Sequence, residues 1–171
     1  MARYQIDPTR SRVTIAARSN VHPIHSETDG LEGWLDLEVQ ADGAIDLVVE
    51  PQAHLELPVD RLRSGNPLED RELKRRIDAR RFPTISGDLV SMQATGTDGT
   101  YRVSGTVTFK GVAQTSEDEM TVVVDEDGSV RLQGSSEFDI RDFGMDPPRI
   151  LMLRVEPVVT VTVDIVASKQ G

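Results

Sequence analysis

The sequence predicts an all-β fold: an eight-stranded antiparallel barrel with one main helix. Three observations carry that prediction. Apolar and polar residues alternate with a period of two in eight separate segments, and successive side chains of a strand point to opposite faces. The connections are mostly short and rich in Gly, Asp, Asn and Pro, so sequential strands pair antiparallel. One segment alone, 67–79, changes to a helical spacing. Eight strands close a barrel just wide enough for side chains or one slender ligand.

The first strand is Arg12–Arg18, with Val13, Ile15 and Ala17 on its apolar face. A breaker-rich loop from Asn20 to Gly30 follows. The second strand places Leu31, Gly33, Leu35, Leu37 and Val39 on one face, with Trp34 opposite. Asp42-Gly43 supplies hairpin chemistry. The third strand is the longest, Ile45–Val59. Ile45, Leu47, Val49, Ala53, Leu55, Leu57 and Val59 form its apolar face. At about 3.3 Å per residue it would reach roughly 50 Å, too long to stay straight. Pro51 lacks an N–H and marks the break.

The helix is expected over 67–79. Pro67 suits a first turn, Asn66 suits its cap, and Leu68, Leu73 and Ile77 give a narrow apolar stripe. Its Arg71, Lys74, Arg75 and Arg76, with Arg80 and Arg81 beyond, read as a solvated basic face or a site for an acidic group. Phe82-Pro83 stops it. Shorter strands follow at 85–92, 103–109, 120–124 and 130–140. The last carries Val155, Val159, Val161, Val163, Ile165 and Ala167.

Composition bounds the function. A chain of 171 residues makes one domain, 1–171. A formal net charge of −10 disfavours nucleic acid and anionic membrane surfaces as partners. With no cysteine there is no disulfide, thiolate chemistry or Cys-ligated metal. The N-terminus does not read as a secretory leader, and no run approaches the ~20 apolar residues of a membrane span. The expectation is a soluble, cytoplasmic protein with no stable membrane insertion.

Glycines fall on the inward faces at Gly33, Gly87, Gly105 and Gly134, and the chain has only four Phe, two Tyr and one Trp. The glycines either let the sheet coil or leave the barrel partly hollow. A hollow lined by Val, Ile and Leu would be dry and would prefer an apolar ligand.

Several short motifs, in order along almost the whole chain, carry a resemblance. They are Tyr4-Gln5-Ile6-Asp7-Pro8 with Ser11 and Val13, Arg63-Ser64-Gly65-Asn66 followed by Asp70, and Phe82-Pro83-Thr84-Ile85. Gly105-Thr106-Val107-Thr108-Phe109-Lys110-Gly111 and Phe138-Asp139-Ile140-Arg141-Asp142-Phe143-Gly144-Met145 complete the set. With them the chain resembles the YceI-like lipid/polyisoprenoid-binding family. The resemblance implies a lipocalin-like barrel, commonly dimeric, that holds a long isoprenoid or other lipid in its tunnel, with no catalytic residues and no cofactor. Candidate lining residues are the inward set: Val13, Ile15, Leu35, Leu37, Leu47, Val49, Leu55, Leu57, Val107, Phe109, Leu132, Phe138, Val161 and Val163.

Two other chemistries are weighed against this. His22, His25 and His54 are the only histidines. If they converge they suffice for a divalent metal, and one of them suffices for a haem iron. Asp139, Arg141 and Asp142 form a carboxylate–guanidinium group. It pins the corner before the last strand unless a cleft makes it catalytic. Trp34, opposite the apolar stripe, is expected beneath the helix or at a dimer contact.

Overall fold

The computed structural model describes residues 1–150 and 152–170. Its strands are β1 (Ala2–Ile6), β2 (Arg12–Ser19), β3 (Ile24–Thr28), β4 (Glu32–Leu37) and β5 (Gln52–Pro58). The helix α1 (Pro67–Ile77) comes next. Then follow β6 (Thr84–Ala94), β7 (Thr100–Phe109), β8 (Val112–Val124), β9 (Val130–Asp139), β10 (Arg149–Ile150) and β11 (Leu153–Lys169). Short 3-10 turns lie at Val59–Arg61 and Ile140–Phe143.

The sheet closes on itself. β1 pairs with β4 on one side and β11 on the other, while β2 pairs with β3 and β11. β1 and β2 are therefore two stretches of one stave, interrupted at Asp7-Pro8, and β3 and β4 make a second. With β5, β6, β7, β8, β9 and β11 the barrel has eight antiparallel staves. The last strand is the seam. Its Val158–Ala167 register runs along the whole of β9, and its other edge takes Arg12–Ser19 and then Tyr4–Ile6.

The Ile45–Val59 stretch is corrected. Only Gln52–Pro58 is strand, beginning directly after Pro51. Ile45 makes one isolated bridge to Val39, and its N–H donates to the Tyr101 hydroxyl at 2.9 Å. Residues 46–51 form a turn instead of a ladder, with the Val48 N–H donating to Asp46 at 3.0 Å and Val48 fully exposed. A proline cannot donate to a ladder, and the local Asx hydrogen bond competes with pairing.

Three strands lie outside the predicted set: β1 has only five residues, β3 lies inside the breaker-rich loop, and β10 has two. The strand expected at 120–124 is longer, since β8 begins eight residues before Met120. The β7–β8 turn explains this early start. Lys110 and Gly111 both have positive φ, 53° and 76°, and Phe109 pairs with Val112. Two such residues make the tight hairpin turn that leaves no room for a loop.

The helix follows its signals, two residues shorter than expected. The Asn66 side chain accepts from the N–H groups of Leu68 and Glu69, Pro67 sits in the first turn, and Asp78 ends the helix in the left-handed region. Leu73 and Ile77 turn toward the barrel, whereas Leu68 is exposed. On the solvent side Glu72 pairs with Arg75 and Arg76.

Two apolar clusters make the core. One gathers Tyr4, Ile6, Leu35, Leu37, Ile45 and Tyr101 with Val122, Val130, Ile165 and Ala167. The other gathers Val59, Ile77, Phe109, Ile140, Phe143, Met145 and Val159, with the Phe109 and Phe143 rings edge-to-face at 5.7 Å.

Candidate functional site

The barrel is hollow, and residues of both clusters line the hollow. The cavity has two lobes, of about 240 Å³ and about 200 Å³. Leu55, Gly87, Val107, Phe138 and Val161 line both, so the lobes meet at that ring. Together they reach the lower part of the ~300–1,000 Å³ range of small-molecule sites.

Gly87 is the glycine of this ring. A Cβ at Gly87 would meet nothing nearer than Leu55, at 3.9 Å. A methyl group is accommodated there without a clash, and Gly87 lines both lobes.

The first lobe opens at the helix end. Val13, Ile15 and Ala17 of β2, Ile24 and Ser26 of β3, and Leu73 and Ile77 of α1 line it. Its mouth is framed by three elements tied together by polar contacts. The Asn20 side chain bonds the backbone of Met152 and Arg154, and His22 Nε2 lies 3.5 Å from Glu69. β3 reaches the segment before the helix through paired backbone bonds between Glu27 and Arg63. Asp70 anchors that segment by accepting from the N–H and hydroxyl of Ser64. The second lobe runs past Leu35, Leu37, Met92, Val103, Leu132 and Val163 to Met120 and Ile165.

Twelve of the fourteen sequence-selected lining residues are brought to this cavity. Val13, Ile15, Leu57 and Phe109 face the first lobe, and Leu35, Leu37, Leu132 and Val163 face the second. Leu55, Val107, Phe138 and Val161 face both. Leu47 and Val49 do not reach it, because the strand assigned to them is a turn. Ile24 and Leu62 were missed because they lie in segments read as loop, whereas Leu31 lies on the apolar face of the second strand but outside the lining set. Ser116, Asp118 and Ser136 were missed for being polar, although Asp118 and Ser116 continue the inward alternation of Met120 and Val122.

The three histidines do not converge. His54 sits on the outer barrel face, its ring bonded to Asp88 at 2.6 Å and Glu56 at 3.0 Å. His22 faces Glu69 at the mouth, and His25 is exposed on β3. Among the described residues no group of three His, Cys, Asp or Glu side chains is placed to hold a metal ion. Trp34 is flanked by Arg3, 4.1 Å above its ring, and by His54, not by the helix.

Asp139 and Arg141 form a corner. The Asp139 carboxylate accepts from the Arg141 backbone N–H and, twice over, from its guanidinium. That hydrogen bonding holds the Asp139 carboxyl below the usual carboxylate range. Neither residue lines the cavity.

A closed antiparallel barrel around a largely apolar, two-lobed hollow defines the class: an eight-stranded lipocalin-like β-barrel. The sequence matches the model of the YceI-like domain over residues 4–167, and the chain belongs to that family. Among curated proteins none matches. Solved structures share the fold. BcnA of Burkholderia cenocepacia superposes with a TM-score of 0.79 at 17% identity, covering 95% of this chain and 99% of that one. A polyisoprenoid binding domain from Saccharophagus degradans, implicated in plant cell wall breakdown, gives 0.76 at 13% identity, with 99% and 100% covered. The YceI protein of Campylobacter jejuni gives 0.66 at 11% identity, covering 85% of each. Among the described residues no helix is long and apolar enough to cross a membrane.

Proposed function

We propose that this protein is a carrier, not an enzyme, and that it encloses a long apolar chain, a polyisoprenoid or another lipid. The two-lobed apolar hollow carries the reading. Each buried CH₂ contributes about 0.8 kcal/mol, so a chain filling the lobes gains affinity without polar contacts. Family membership and the polyisoprenoid binding domain among the structural neighbours support the same class of ligand. The twelve lining side chains named above are the proposed contacts. The junction at Gly87 would pass the chain from one lobe to the next.

Organic extraction and mass spectrometry of the purified protein test this. A long-chain apolar molecule should be recovered at close to one per chain, and delipidated protein should take up an added polyprenyl chain. Protein that is repeatedly empty and takes up no such chain would overturn the carrier reading.

A further inference from the structure

The barrel wall is incomplete on one side. β8 and β9 share a ladder only from Met120 opposite Gly134 to Val124 opposite Val130. Beyond that point they part. β8 continues back to Val112 along β7, and β9 continues to Asp139 along β11. A split therefore runs between two strands that each keep their other neighbour. Among the described residues, two side-chain hydrogen bonds cross it. Ser136 donates to Asp118 Oδ2 at 2.5 Å, and the Gln114 amide donates to the Asp142 carbonyl at 2.8 Å.

The split opens from the second lobe. Ser116, Asp118 and Ser136 line that lobe where the wall parts, with Gly105 and Gly134 beside them. The inward face of β8 changes there from Met120 and Val122 to Asp118 and Ser116. An otherwise apolar hollow thus ends in a carboxylate with a hydroxyl bonded to it. A carboxylate accepts hydrogen bonds and donates none when ionised. Among the described residues, neither lobe is lined by a lysine or arginine, and the charged lining residues of both are acidic. Glu69 and Asp70 stand at the far mouth, and Asp88 turns its carboxylate outward to His54.

Resting on the carrier reading, we infer that the β8–β9 split is a second, lateral opening that seats the head of the ligand. Asp118 and Ser136 determine which head it takes. The chemistry they recognise is a hydrogen-bond donor, an alcohol or an amine, at the end of a long apolar chain. A phosphate or carboxylate head finds no cation among the lining residues and meets the half-buried Asp118. Like charge there costs more than at the surface. The head displaces Ser136 from one Asp118 oxygen or bonds the other, and the chain lies back through the Gly87 junction.

The test uses delipidated protein and three ligands of one chain, geranylgeraniol, geranylgeranylamine and geranylgeranyl monophosphate, with competition read by native mass spectrometry. Wild type should favour the alcohol or the amine over the phosphate by at least roughly tenfold, the scale of one hydrogen bond to a charged group. The alcohol and amine arms show whether the donor must be neutral or charged. Asp118→Asn should reduce the preference to less than about threefold while the chain is still bound, since two to threefold is within the scatter of such contributions. Ser136→Ala, which leaves the carboxylate in place, should retain the exclusion of phosphate. Circular dichroism of both variants reports folding. Equal binding of all three heads to wild type, or an unchanged preference in a folded Asp118→Asn, would overturn the inference and leave the carrier reading standing. Failure of all three chains to bind would overturn both.

Discussion

Gly33 of β4 lies so close to His54 of β5 that a Cβ on it would stand 2.0 Å from the His54 carbonyl oxygen. Its φ of 142° is a conformation that L side chains rarely adopt. The neighbouring pairs, Trp34 with His54 and Gly33 with Leu55, hold the two strands in that register. Gly33→Ala should therefore destabilise the barrel by about 1–3 kcal/mol from backbone conformation alone, with the clash added. Chemical denaturation measures it. A midpoint equal to wild type would show that the two strands separate at no cost.

Gly87 makes the opposite prediction. A Cβ there would touch only Leu55, at an ordinary van der Waals distance of 3.9 Å, at the ring shared by both lobes. Gly87→Leu should fold with unchanged or raised stability, since a leucine there buries apolar surface worth up to ~1.5–3 kcal/mol. The same side chain should block the junction and sharply reduce recovery of a long chain. Full recovery from a stable Gly87→Leu protein would remove the junction from the ligand's path.

These two glycines show how far the sequence could be read. Alternation of Val, Ile and Leu located most staves, because a half-buried strand must alternate. It failed where the inward residues are polar. Residues 113–119 of β8 read Ala-Gln-Thr-Ser-Glu-Asp-Glu, with no contrast between faces for hydrophobicity to detect. The Lys110-Gly111 turn was the available signal, since a hairpin that tight obliges the next strand to start at once. The reverse error occurred at Leu47 and Val49. Perfect alternation was present there, but Pro51 and the Asp46 side chain took the backbone out of the ladder. Which glycine is a close approach and which would accept a Cβ depends on the neighbouring strand, and no local pattern distinguishes Gly33 from Gly87.

His54 links stability to pH on the outer face. Its hydrogen bond to Asp88, and then that to Glu56, hold its pKa above the usual histidine value, with partial burial opposing. The protonated form is therefore favoured in the folded state. Its contribution is complete below the unfolded histidine value of about 6.5 and is lost as pH rises through the higher folded value. Solvent reaches all three side chains, so the effect should not exceed about 1 kcal/mol. The stability gap between wild type and His54→Gln should be larger at acidic than at alkaline pH. An equal gap at both would mean that the pair contributes nothing through charge.

The helix cap ties the entrance to its scaffold. Asn66 accepts hydrogen bonds from Leu68 and Glu69 at 3.0 and 3.4 Å, which fixes the first turn of α1. That turn carries Glu69 and Asp70, and the next turns carry Leu73 and Ile77, all on the wall of the first lobe. Removing the cap with Asn66→Ala should cost about 0.5–2 kcal/mol. The first turn should open more often while the barrel stays closed, because the eight staves do not depend on it. A long chain should then exchange faster at the mouth, whereas the lobes that hold it stay intact. Asn66→Asp keeps an oxygen acceptor at the same place and should restore both stability and slow exchange. Measured release of a bound polyprenyl chain decides it. Equal release from Asn66→Ala and wild type would place the rate-limiting opening elsewhere than at the helix.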